Sequence, residues 1–371
     1  MRIAMIAPLI ESVPPQRYGG TERVVSVLTE EMVRRGHEVT LFASGDSRTS
    51  ARLVACNDAP LRTSPPDTDT IAHALIEMNE VYGRADEFDL IHNHNDYLAF
   101  SFARASSTPT VTTAHGRLDL PEVRRTYGYF AEQRLIAISH DQRTWLPQAR
   151  WVGTVHNPID VDHYHLHSHP GDYLVFLGRI CPEKRPDRAI EIARDTGMRL
   201  VIAAKVDRVD QNYYDYAIKP MIERNRGLVE FIGEVGEHEK DDLLGGAWAY
   251  LFPVDWPEPF GLTMAEAMAT GTPVIATGLG SVPEVVAHGE TGFVCDTLAG
   301  MIDAVGRIGE IDRRACREHI LDLCSPATIA ADYERVYRAV TGIADASAES
   351  PRAPGAAPDR PLAIPRGPIV A

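Results

Sequence analysis

Short apolar runs and amphipathic stretches take turns through the first 150 residues of the chain. The runs at 2–7, 38–43, 88–92, 110–114 and 134–138 have the length and composition of buried strands. Between the first two, Thr21 to Arg35 shows helical spacing, with Thr21 as the expected capping residue and Gly36 as the stop. Alternation of this kind predicts a parallel sheet covered on both faces, a Rossmann-like half. The pattern restarts at 173–179, with further strands expected at 200–204, 231–235, 249–252 and 273–276. A final helix from 326 to about 341 places Tyr333, Val336 and Tyr337 on one face. Residues 344–371 are rich in Ala and Pro, have no apolar periodicity and balance three acids against three arginines, so they are predicted to be disordered.

With 371 residues, 44% of them hydrophobic, the chain can fill two ordinary cores, a single large α/β domain being the alternative. A formal charge of −15 excludes nucleic acid as the main partner, since a phosphate backbone needs a basic surface. Any phosphate ligand must instead be held by local cations. The five cysteines are odd in number and contain no C-x-x-C pair, which suits reduced thiols and a cytoplasmic location. The N-terminal apolar run is too short for a signal peptide and no later run reaches the length of a membrane span, so the chain reads as soluble. The stretch Leu120–Arg134 carries few apolar residues, which leaves membrane association peripheral at most.

One stretch, 253–276, concentrates the chemistry. A strand leads into Pro257-Glu258-Pro259, where the flanking prolines narrow the backbone and hold the Glu258 carboxylate out from a stiff loop. A helix then runs from about Gly261 to Gly271, with Glu266 about a turn and a half inside it. The two carboxylates are expected to point into one cleft. The free N–H groups of Phe260, Gly261 and Leu262 form a positive helix terminus suited to a diphosphate.

Glu258 and Glu266, separated by seven residues within E-P-F-G-L-x-x-x-E-A-M-A-x-G-x-P-V-I, resemble the paired-glutamate signature of the family 4 retaining glycosyltransferases of GT-B fold. The resemblance spans roughly residues 1–341. It implies two Rossmann-like domains facing across a cleft: 1–165 on the acceptor side, 170–325 binding a nucleotide sugar, and 326–341 as a helix crossing back onto the first. Tyr18-Gly19-Gly20-Thr21 opens a helix after the first strand, and by resemblance Gly19 and Gly20 lie against the diphosphate and the acceptor; a plain turn is the other reading. By the same resemblance Arg179 and Lys184 grip the diphosphate, Glu266 holds the ribose, Glu258 orients the hexose, Val235 lies near the base and His115 sits beside the transferred sugar. Arg185 stands where the family usually has glycine, and Asn157-Pro158-Ile159-Asp160 and Gly280-Ser-Val-Pro-Glu284 are close to further family stretches. The implied reaction moves a hexosyl unit from a nucleoside-diphosphate sugar to an acceptor hydroxyl with retention, and it requires neither metal nor cofactor. Loops 8–20 and 116–133 are expected to meet the acceptor.

Several features stand outside that scheme. His92 and His94, at a strand end, are read as hydrogen-bonded lining of the acceptor cleft or, with Asp96, as a metal pair. His163-x-His165-x-His167-x-His169 is either an exposed linker or a zinc or nickel site. Lys205 either adds charge near the phosphates or pairs with Asp207. Asp67-Thr-Asp69 and Asp160-Val-Asp162 resemble the metal motif of the other large glycosyltransferase fold without its context. Two rival functions remain: a nucleotide-sugar epimerase of similar architecture, and a non-enzymatic nucleotide-sugar sensor.

Overall fold

The computed structural model describes residues 1–343; the expectation of disorder for 344–371 lies outside the described residues. Two parallel sheets organise the chain. The first half supplies β1 (Arg2–Ile6), β2 (Glu38–Ser44), β3 (Arg52–Asn57), β4 (Leu90–Asn93), β5 (Thr110–Ala114), β6 (Arg134–Ala137) and β7 (Trp151–Thr154), in the spatial order β3-β2-β1-β4-β5-β6-β7. The second supplies β8 (Tyr173–Arg179), β9 (Arg199–Lys205), β10 (Val229–Gly233), β11 (Ala249–Phe252), β12 (Val274–Thr277) and β13 (Gly292–Cys295), in the order β10-β9-β8-β11-β12-β13. The central strands are continuously apolar because helices cover both their faces, as a parallel sheet requires. Strand order reverses between β1 and β4 in one sheet and between β8 and β11 in the other. Loops leaving the carboxyl ends of strands at such a reversal diverge and open a crevice.

Five helices position the site: α1 (Gly20–Arg34), α2 (His140–Thr144), α3 (Glu237–Gly245), α4 (Leu262–Ala269) and α5 (Pro326–Thr341). The expected cap of α1 is one point of difference. Gly19 takes that position with no side-chain cap, and Thr21 lies inside the first turn. A threonine cap would have placed a side chain between the helix N-terminus and whatever lies before it; glycine leaves the N–H groups bare. Strands β3 and β7 were absent from the sequence reading because one is half-exposed and the other contains Gly153 within a partly buried run.

Helix α5 packs into the first half's core, with Ile329, Ala330, Tyr333, Val336 and Tyr337 buried beside Val25, Leu28 and Met32 of α1. Its tyrosines are polar plugs as well as packing. The Tyr337 hydroxyl lies 2.7 Å from His92 Nδ1, the His92 Nε2 lies 2.7 Å from Thr113 Oγ1, and the Thr113 hydroxyl meets Tyr333 at 3.1 Å. Every member of this chain is buried. Tyr337→Phe would leave the His92 nitrogen without a partner, so it should destabilise the protein by about 1–3 kcal/mol. Denaturant unfolding of the variant checks this, and an unchanged midpoint would contradict it.

Candidate active site

The crevice outside the carboxyl ends of the two sheets is a cavity of about 390 Å³ lined from both halves. It brings together Gly19, Gly20 and His115 from the first half, and Arg179, Lys184, Val235, Glu258, Phe260, Gly261, Leu262 and Glu266 from the second. They arrive on different loops. Gly19 and Gly20 follow β1, His115 ends β5, Arg179 ends β8, Val235 follows β10, and Glu258 lies between β11 and α4.

The loop carrying Glu258 is fixed on both sides. Besides its prolines, its carbonyl accepts from Ser281 N at 2.9 Å, while Asp255 N donates to Glu183 O at 2.8 Å and so ties it to the loop after β8. Gly280, at φ 62°, lies so close that a Cβ there would come within 2.4 Å of the Glu258 backbone. The Glu258 carboxylate is buried and takes the Lys184 ammonium as its partner. Lys184 also sits 5.1 Å from the Phe252 ring and 5.3 Å from the Trp256 ring, a cation held over two aromatic faces. The residue after it settles the question raised by the missing glycine. Arg185 adopts the left-handed conformation itself, φ 52° and ψ 51°, with its guanidinium bound to Asp187 at 2.7 Å and Asp255 at 2.8 Å. A non-glycine residue there costs about 1–2 kcal/mol, which these two ion pairs help offset.

Glu266 is buried on α4 and receives Lys240 of α3 at 3.1 and 3.2 Å, with Arg23 of α1 at 3.9 Å. Burial alone would raise its carboxyl, but the two cations outweigh it and hold the group below the usual carboxylate range. Arg179 faces Asp210 at 3.5 Å and Asp207 at 3.8 Å. Lys205 pairs with Asp207 at 2.7 Å, as one of its two readings expected, and also lines the cavity, 4.7 Å from the Tyr18 ring. Gly261 caps α4 with a positive φ and no side-chain cap, and Gly261, Leu262 and Thr263 of this helix start line the cavity.

His92 and His94 do not line the cleft. His92 is sealed beneath α5, and His94 lies one layer behind His115, its Nδ1 at 2.8 Å from His115 Nε2 and its Nε2 at 3.2 Å from Met5 Sδ. A thioether only accepts, so His94 Nε2 carries the proton and its Nδ1 accepts from His115 Nε2–H. That assignment leaves His115 Nδ1 as an acceptor. Burial drives the His115 imidazole down to about 3, so it is neutral at ordinary pH.

Sequence reasoning missed the groups that bridge the cleft. Arg62 donates to Glu234 at 2.7 and 2.9 Å and to Glu11 at 2.8 Å, Arg23 pairs with Glu237, and Tyr18 N donates to Glu234 at 3.1 Å. Glu284, seen above only as part of a short motif, accepts from His140 N at 2.7 Å and Asp141 N at 2.8 Å at the start of α2. Lys240 offered little signal, because α3 is polar along most of its sequence and reads as a solvated helix. Glu22 was missed as well. It is buried on the first turn of α1 and lines the cavity.

Comparison with known proteins agrees with this geometry. The sequence profile described as Glycosyltransferase Family 4 matches residues 18–176, and that described as Glycosyl transferases group 1 matches residues 164–308. A phosphatidyl-myo-inositol mannosyltransferase of Mycolicibacterium smegmatis is 27% identical over 390 residues, covering 92% of this chain and 95% of that protein. Among solved structures, sucrose-phosphate synthase from Thermosynechococcus elongatus superposes with a TM-score of 0.76 at 18% identity, covering 92% of this chain and 99% of its own. Anabaena HepE in complex with UDP and glucose gives 0.72 at 18% identity, covering 91% and 100%. At these identities both are likenesses of fold.

Glu22 generates a pH prediction. Burial pushes its carboxyl up to about 7, nearby Glu11 adds to the rise, and backbone N–H groups offset part of it. A carboxyl raised in the folded state binds its proton more tightly there than when unfolded. Stability is therefore lost as pH climbs from the ordinary glutamate range through 7, by roughly 3 kcal/mol for a shift of this size. Glu22→Gln should remove that slope and be the more stable protein at pH 8. Parallel stability profiles for the two proteins from pH 4.5 to 8 would contradict it.

Proposed function

The chain belongs to glycosyltransferase family 4 and has the GT-B fold, and from that premise we propose that it moves a hexosyl unit from a nucleoside-diphosphate sugar to an acceptor hydroxyl with retention of configuration. The observation that carries this reading is the convergence of Lys184, Arg179 and the bare N-terminus of α4 on one cavity wall with Glu258 and Glu266 beside them. Departure of a nucleoside diphosphate builds negative charge on phosphate oxygens, and fixed cations with aligned N–H groups stabilise it. No metal is needed for that step. The same fold holds UDP and glucose in Anabaena HepE, which supports a nucleotide-sugar donor.

In this reading Glu266 takes the ribose hydroxyls, and Lys240 and Arg23 keep it ionised for that purpose. Glu258 accepts from hexose hydroxyls, and neutral His115 offers Nδ1 to another. Gly19 and Gly20 let the α1 terminus approach the diphosphate; a Cβ on Gly19 would lie 2.7 Å from Pro15 Cβ. The anomeric C–O bond to phosphate breaks, the acceptor oxygen forms its bond on the same face, and the acceptor proton passes to the leaving diphosphate. The base lies, in this reading, beside Val235, which lines the cavity after β10.

Release of free nucleoside diphosphate from UDP, GDP and ADP sugars tests the proposal. One donor should be slowly hydrolysed without acceptor, and added chelator should leave the rate unchanged. Lys184→Ala should lower it about 10²–10³-fold, the scale of losing one fixed charge-stabilising group. Glu258→Ala should lower it as well. An epimerised sugar with no diphosphate released, or no binding of any donor, would overturn the reading.

A further inference from the structure

The histidine alternation that the cleft leaves unused points elsewhere. We propose that His167, Asp241 and Asp242 form a site for a divalent ion of the zinc class, pinning the segment that joins the two halves onto α3. The four histidines do not share one face. A turn at Val161–His163 breaks the extended path, and His163 ends against the His238 ring at 5.3 Å. His165 and His167 alone turn to the Asp241 carboxylate, His165 donating to it from N at 2.8 Å and meeting it through Nδ1 at 2.7 Å.

His167 is held as a ligand would be. Its backbone N donates to Thr270 O at 2.9 Å and its carbonyl accepts from Arg313 Nε at 2.6 Å. Its ring lies flat on Gly245 of α3, where a Cβ would come within 2.1 Å of Cδ2. Nε2 is shielded from solvent yet has no hydrogen-bond partner, a costly state for a ring nitrogen. It lies 3.6 Å from Asp241 Oδ1. That is too long for a good hydrogen bond. It is close to the roughly 3.4 Å that separates two ligand atoms each about 2.1 Å from a tetrahedral ion. One Asp242 oxygen completes a set whose members all lie within 4.8 Å of one another. An imidazole with two carboxylates suits zinc better than calcium or magnesium, which favour oxygen alone.

None of the three residues lines the catalytic cavity. The ion would instead fix α3, the helix that carries Glu237 and Lys240 to the cleft. The test uses the full chain stripped with chelator, dialysed against Zn²⁺ and followed by metal content and thermal unfolding. One equivalent should bind and raise the unfolding temperature. His167→Gln should weaken binding at least ~10-fold through loss of a direct ligand. Asp242→Asn, at an exposed position, should do the same while leaving the unfolding temperature of the metal-free protein unchanged. His169→Ala should bind as the parent does. The proposal fails if the parent takes up no saturable equivalent, or if zinc binds equally well to the His167→Gln and Asp242→Asn proteins.

Discussion

A cleft that gathers lysines and arginines from both halves must balance their charge, and that requirement governs the carboxylates around it. Lysine and arginine groups facing each other in a half-buried cavity would repel and lose hydration, at several kcal/mol for each ion fully desolvated. Here four of the cations around it have carboxylates. Lys184 takes Glu258, Lys240 and Arg23 share Glu266, and Arg179 faces Asp207 and Asp210. The carboxylates assigned to the sugar and the ribose are thus the resting partners of cations that also face the cavity. Under the proposed function, binding of a donor would be an exchange of partners: phosphate would replace Glu258 on Lys184 and free Glu258 for sugar hydroxyls.

The fold supplies this arrangement through topology. Both sheets reverse strand order at the edge of the cleft, so the loops after β1, β8 and β11 open toward it. Ion pairs then tie the halves together across the gap, Arg62 to Glu234 and Arg23 to Glu237. Because Arg23 also reaches Glu266, the charge of the proposed ribose carboxylate depends on a residue of the opposite half. One guanidinium thus links the contact between the halves to the charge of Glu266.

The second half of the site was more legible than the first. Glu258 and Glu266 could be placed because two prolines and a glycine-capped helix fix local geometry from neighbours in sequence. Arg185 shows the limit of such reasoning: the backbone kept the conformation glycine would favour, and distant Asp255 supplied part of the compensation. His92 and His94 went astray because period-two spacing tells which face a side chain takes, whereas only tertiary packing shows that α5 covers it. Lys240, Arg62 and Glu22 had no local signature. Their roles come from contacts between segments dozens to hundreds of residues apart, or from burial that a polar helix turn does not advertise.

Exchange of partners at Lys184 can be measured directly. Calorimetry of the bare nucleoside diphosphate, without its sugar, compares the parent with Glu258→Gln. If the carboxylate competes with phosphate for Lys184, removing its charge should tighten binding by about tenfold, or 1.4 kcal/mol, although the same variant turns over the donor poorly. Unchanged or weaker binding of the diphosphate would mean that Glu258 does not restrain the lysine, and the account of a self-neutralised cleft would be wrong.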